Sequence, residues 1–547
     1  MKNRIIYSLA FLCLLCLSCK EDLLDKKPLD TYTEDEVWNN ATMAKDFILD
    51  IYSDAVGLYS QNYTDDWTDN IVGNNGINSI QASTIDNTYN AGWNKFSSIR
   101  KCNLAIEKLT NNNDISETIC KQLIAEARMM RAMIYFWQVR RFGGLIIVDK
   151  VLSADANLDL VRSSEEDTYT FILNDLAAAA IDLPETNDRG RLNRGTAYAF
   201  INMVALQAGD YDKVISSADE IELLNYKLDT YYNIFQTYAT TIKSPEVILV
   251  FDRGNEYNTF QQTRMFYNSP NVSNGTKLIS TAVPQLNNVF NCWPARWPSQ
   301  EIVDAYLFNK NGIAVQKKGE EFEGMYPGQM WKNRDDRFEV SIARDSSMLW
   351  QTLITCRRGG NMHWTSNIQG TWGMPKAGYI TRKWWYEKDI NYFYNSYYVS
   401  WAEPILRLGE VYLNKAEAYY RKGNISKAIE YTNKTRTFHG GLPEIPSSIS
   451  ASEFWKLYKL ERRVELFEED DRYWSLIRWA KAENATSIPE LDGYKLHAID
   501  IIDGKVHIIE CPFFTSELNF EYPKRLYFPI PDSEIKANEN LVQNLDW

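Results

Sequence analysis

Trp67 stands among Asp65, Asp66, Asp69 and Asn70, with Asn75 a few residues on, in a stretch from Tyr59 to Trp93 that is rich in Asn, Asp, Thr and Gly. Trp293, Trp331, Trp350, Trp364 and Trp372 recur in a second aperiodic stretch, 291 to 372. An indole suits the flat C–H face of a pyranose, and short carboxylates and amides suit its rim of hydroxyls. These residues are the candidate ligand-binding set, and their chemistry is capture of a sugar. Other chemistries lack their motifs. No Gly-rich phosphate loop, HExxH or GxSxG occurs, and His363, His439, His497 and His507 have no ligand spacing, so no catalytic residue, metal or cofactor is assigned. Each histidine is expected as a surface hydrogen-bonding group. A Ca²⁺ on Asp65, Asp66 and Asp69 stays open, with solvated carboxylates the plainer expectation. A glycosidase dyad also stays open in a chain with 72 acidic residues.

Long ordered loops of this composition need a scaffold to hold them. The 547 residues are 45% hydrophobic and 24% charged, enough for one large domain, and the aromatic share of 13% exceeds what a core alone explains. The formal charge of −13 excludes nucleic acid as a partner, because phosphate binding needs clustered Lys and Arg. Cys102, Cys120, Cys292, Cys356 and Cys511 are too widely spaced for a metal or redox motif, and read as buried thiols with at most one or two disulfides.

The start of the chain is a targeting segment. Lys2 and Arg4 precede an apolar run from Ile5 to Leu17, too short for a bilayer span, so residues 1–18 read as an export signal. Residues 19–32, with Leu23 to Pro28 extended, read as a tether. From Thr33 the pattern is helical, opening with a capping box to Glu36. Helices are predicted over 99–109, 118–142 and 165–181, the second stopped by Gly143-Gly144 and the third capped by Ser163 or Ser164. Thr196–Gln207 with Tyr211–Leu223, and Ile405–Arg421 with Ser426–Thr437, make helical hairpins in which Ala416 and Ala428 allow close approach. The fold class is mainly α, a scaffold of stacked tetratricopeptide-like hairpins with loop-rich insertions and a few short strands. The scaffold covers about 33–242 and 399–485 of a single domain, 33–547, with the ligand-binding insertion at 243–398 and a C-terminal segment at 486–547. Glu246–Phe251 and Val506–Ile509 are the predicted strands.

The scaffold is organised around Glu461–Trp479, ERRVELFEEDDRYWSLIRW. Leu457, Leu460, Val464 and Phe467 fall on one helix face with Glu461, Arg462, Arg463 and Glu465 beside it, so ion pairs at the edge of a core are expected. Asp470 and Asp471 are expected to cap a second helix. This stretch closely resembles the C-terminal signature of the SusD/RagB family, and Tyr527-Phe-Pro-Ile-Pro531 with Glu534-Ile535, Asn538 and Gln543-Asn544 resembles its closing segment. Glu126-Ala-Arg128 to Gly144, Pro298 to Tyr306 and Asn333 to Arg337 resemble further landmarks of that family.

The resemblance implies an outer-membrane lipoprotein facing the cell exterior, carrying lipid on Cys19. Leu17-Ser18-Cys19 resembles a lipobox, with Cys16 where Leu is usual, and Lys20-Glu21-Asp22 resembles a surface-export signal. It also implies an oligosaccharide ligand and a partner, a SusC-like TonB-dependent transporter on which the protein sits as a lid. Three other readings remain: a peptide or glycoprotein ligand as in RagB-like members, a surface glycoside hydrolase with carboxylates about 5 to 10 Å apart, and an assembly scaffold whose tryptophans face the partner.

Overall fold

The computed structural model describes residues 33–547 apart from 61, 74–75, 255–263, 269–294, 350–351, 366–373, 387–399 and 514–515, and only the backbone of 265, 266 and 352. The predicted signal and tether, with Cys19, lie outside the described residues, as do Asn75, Trp293, Trp350 and Trp372.

The described chain begins on the predicted capping box. Thr33 N donates to Glu36 Oε2 at 2.8 Å while Glu36 N donates back to Thr33 Oγ1 at 3.4 Å. Helices α1 (Ala41–Ala55), α2 (Phe96–Leu109), α3 (Glu117–Phe142) and α4 (Glu165–Asp182) follow, α4 capped by Ser164. Gly143, at φ 71°, ends α3. Gly144 is required for contact: a Cβ there would lie 2.0 Å from Ser163 O.

Two hairpins complete the helical layer. α5 (Arg194–Ala208) turns at Gly209 into α6 (Tyr211–Glu222), and α7 (Leu408–Arg421) turns at Gly423 into α8 (Ile425–Phe438). Asn414 of α7 donates to Asn202 of α5 at 2.9 Å, locking one hairpin to the other. α9 (Ala451–Glu465) and α10 (Arg472–Ala482) pack behind them. Ile405–Arg407, expected as helix, is instead strand. Val247–Gly254 (β2) pairs antiparallel with Trp401–Arg407 (β4), and extended backbone lets the buried Arg407 reach carboxylates in the interior.

Two large hydrophobic cores result among the described residues. The larger lies among the helices. The smaller is assembled from the irregular insertion, where Trp297, Trp331, Tyr306, Phe338, Trp364 and Tyr379 surround Val464 and Phe467. His497–Ile502 (β5) and Lys505–Glu510 (β6) form a hairpin on this core. The density of tryptophan in the insertion is thereby corrected. Its described members Trp297, Trp331, Trp364, Trp384 and Trp385 are all buried, because a region without long helices fills its interior with large rings.

The link between the cores is the end of α9 and the turn after it. Arg337, from the insertion, donates to Asp335, Glu461 and Glu465, and Arg407 donates to Glu246, Glu465 and Glu469. Arg462 pairs with Asp471, and Arg478 with Glu417. The expected ion pairs exist, but at the molecule's centre. Asp471 stands at the cap position of α10 without capping it, because its carboxylate is committed to Arg462, while Asp470 binds Arg140.

Candidate functional site

Ile71–Gly73 (β1) pairs antiparallel with Arg296–Pro298 (β3), in register Ile71 to Pro298 and Gly73 to Arg296. This small ladder joins the two stretches that the sequence marks as ligand loops. Ser299 strengthens the junction, its N–H donating to Asn70 O at 2.9 Å and its hydroxyl to Asp69 O at 2.6 Å.

Above the ladder stands an aromatic pair. Tyr63 and Tyr267 meet edge to face with centroids 6.1 Å apart, and Tyr267 is 39% exposed. Tyr267 belongs to the short helix Arg264–Asn268. Arg296 and Arg264 lie against the Tyr63 ring at 4.3 and 5.0 Å. Beneath the rings, Arg296 donates to Asp66 at 2.6 Å, Asn268 at 2.8 Å and Glu468 at 3.0 Å, and Arg264 donates to Glu403 at 2.6 Å and Glu468 at 3.2 Å. Glu468 comes from the turn after α9, so the stretch that joins the two cores also forms the floor of this site.

Five polar atoms here have no hydrogen-bond partner among the described residues: Asn62 Nδ2, Tyr63 Oη, Asn268 Nδ2, Arg296 Nη2 and Glu468 Oε1. Buried polar groups are almost always paired, so a group of orphans bound to one another's residues marks a place suited to a hydroxylated guest. Three carboxylates, Asp66, Glu403 and Glu468, face two guanidiniums. Burial pushes Asp66 up to about 6 against the pull of Arg296, and burial with Glu468 beside it pushes Asp65 up to about 7.

The predicted contact residues have other positions. Asp66 reaches the site, as the partner of Arg296. Trp67 is half-buried and turns into the main core, edge-on to Tyr473 at 5.3 Å and Phe528 at 5.4 Å. Asn70 is fully buried, holding Asp65 and accepting from Arg463 at 2.8 Å. Trp331 stacks on Phe338 at 6.1 Å, and Trp364 packs against His363 at 4.1 Å. The expectation of solvent-facing indoles is therefore unmet at Trp331 and Trp364, which are 9% and 7% exposed. The sequence reading missed Tyr63, Tyr267, Asn268 and Arg296. Tyr63 lies inside the marked loop and Arg296 between two marked tryptophans, but their pairing across some 200 residues leaves no local signal.

The acidic run is not a cation site. Asp65 is held by Asn70, Asp66 by Arg296, and Asp69 by Arg463 and Arg472, three separate directions. Glu246, His439 and Glu465 converge more tightly, with His439 Nδ1 2.8 Å from Glu465 and Nε2 3.1 Å from Glu246. Both carboxylates also accept from Arg407, and Glu465 from Arg337, so the imidazolium occupies the cation's place. Against the burial that opposes its charge, Glu465 and Glu246 raise His439 to about 10. His439 is thus a core cation, and His363 is likewise buried; neither is the surface group expected.

Comparison with known proteins agrees with this architecture. The sequence model of the SusD family matches residues 245–547, and one described as starch-binding and associating with the outer membrane matches 22–206. SusD-like protein P25 of Formosa agariphila is 21% identical over 99% of this chain and 98% of its own. A SusD-like protein from Bacteroides fragilis superposes with TM-score 0.78 at 25% identity, covering 95% of this chain and 100% of that one. A SusD-like carbohydrate-binding protein from the same species gives 0.73 at 19%, covering 92% and 100%. Among the described residues no helix is long and apolar enough to cross a membrane. With the SusD family model matching 245–547, more than half of its residues, the chain belongs to the SusD family.

Proposed function

We propose that the protein is a cell-surface glycan-binding lipoprotein, anchored in the outer membrane through Cys19, that captures oligosaccharides and delivers them to a SusC-like TonB-dependent transporter as its lid. The observation that carries the binding reading is the convergence of the Tyr63–Tyr267 pair with five unpaired polar atoms at the junction of both loops. Family membership and a carbohydrate-binding structural neighbour support it. Site chemistry favours capture over hydrolysis: Asp66 is tied to Arg296, and Asp65, which burial raises to about 7, is held by the Asn70 amide. Three carboxylates against two guanidiniums favour an uncharged glycan over an acidic one.

The test uses the chain from Lys20 onward in affinity electrophoresis against neutral and acidic polysaccharides. A neutral class is expected to retard the protein, with retardation lost in Tyr267→Ala; no retardation on any polysaccharide overturns the reading. Deleting the transporter should leave this binding intact and abolish uptake, and preserved uptake would remove the delivery step.

A further inference from the structure

A groove of about 620 Å³ that shares no lining residue with the ring pair's site opens between the first turn of α2, the segment 146–160 and the C-terminal segment 534–541. Its floor and walls are apolar, from Trp93, Ile146, Val148, Leu152, Leu160 and Leu541. Leu158 forms a lip that is 67% exposed. The walls are fixed in place by side chains that hold the irregular backbone. Asn103 donates to Val148 O and Lys150 O, both at 3.0 Å, Asn538 to Leu160 O at 2.9 Å, and Asn540 to Asp159 O at 2.8 Å. A preformed apolar groove costs its guest little ordering of the protein.

The lining also carries a charge pattern. Arg100 and Lys150 are exposed, and neither has an ion-pair partner among the described residues; Arg100 uses one N–H on Leu152 O at 2.9 Å. Glu534 is the one carboxylate in the lining. Two cations to one anion is the reverse of the whole chain, whose formal charge is −13. An apolar slot with a cationic mouth is complementary to an anionic amphiphile.

We propose that this groove binds a free fatty acid, its acyl chain on the Leu152–Leu160–Leu541 floor and its carboxylate between Arg100 and Lys150. Isothermal titration of the chain from Lys20 onward with dodecanoate, below its micelle concentration, should give one saturable site. Decanoate should bind roughly tenfold more weakly, as two lost methylenes require. Lys150→Glu should weaken dodecanoate about tenfold while leaving dodecanol nearly unchanged, because it reverses the charge at the exposed mouth and leaves the apolar floor intact. Ala154→Trp, an exposed lining position, should block both probes. None of these variants should alter glycan retardation. Absence of saturable dodecanoate binding, equal affinity for dodecanol, or full binding in Ala154→Trp would each overturn the proposal.

Discussion

Tyr267 and Trp331 separate binding from packing at single residues. Tyr267 is part-exposed on a five-residue helix, and Tyr267→Ala should abolish glycan retardation with a melting temperature near that of the parent chain. Trp331 is enclosed by Phe338 and Tyr379, and Trp331→Ala should cost about 3–5 kcal/mol in chemical denaturation, as a large buried cavity does. The opposite pattern would return the tryptophans to the binding surface. Gly409 supplies a third residue-scale test. Its N–H donates to Glu246, and a Cβ would lie 2.5 Å from Arg407 Nη1 and 2.9 Å from Glu465 Oε1. Gly409→Ala should therefore destabilise by about 1–3 kcal/mol despite glycine's poor helix propensity, read from the same denaturation curves.

At the scale of elements, α9 and its following turn act as a counter-ion rod. Glu461, Glu465, Glu468 and Glu469 neutralise guanidiniums delivered by the insertion, by β4 and by the short helix at 264, and His439 is brought to them by the end of α8. His439 gives this rod a pH signature. Its folded pKa of about 10 exceeds the ordinary 6.5, so the folded state holds an extra proton between those values. That stabilisation is complete below about pH 6.5 and is lost as pH rises through 10. Lys383, which burial draws down to about 8 against Glu469, works in the opposite sense above that pH. The measurement is thus the difference in melting temperature between the parent chain and His439→Gln from pH 6 to 10; it should shrink steadily with pH, and a constant difference would mean a neutral imidazole. Elements of this kind were legible in the sequence where periodicity and caps set them, as in α3, α4 and both hairpins. The Ile405–Arg407 strand was not, because its apolar residues suit either period and only the distant β2 decides between them.

Over the whole molecule, the helical scaffold and the family signature were readable because they rest on local repetition. The site was readable only to the level of its two loops. Aromatic content announced rings, but which rings turn inward depends on a second core built from non-periodic chain, and no spacing rule describes that core. Asp66 was found because it sits in the acidic loop; Arg296 and Tyr267 were not, because ladder pairing brings the one and a ring contact the other to segments more than 200 residues away, and Asn268 enters only through Arg296. Stacked-hairpin proteins commonly gain stability from neighbour to neighbour along the chain. This one adds a knot of charges that gathers remote segments into one unit.

That knot sets an order of events for a chain that emerges from its N-terminus. Arg264, Arg296, Arg337, Lys383 and Arg407 appear first, and the carboxylates that neutralise them in the interior, Glu461 to Glu469, come among the last hundred residues. Asp66, Glu246, Asp335 and Glu403 already supply one carboxylate to each of the four arginines. What the later residues add is the remaining carboxylates of the knot and the partner of Lys383, without which a buried charge costs several kcal/mol. The charge knot is therefore completed only when the α9 segment joins it.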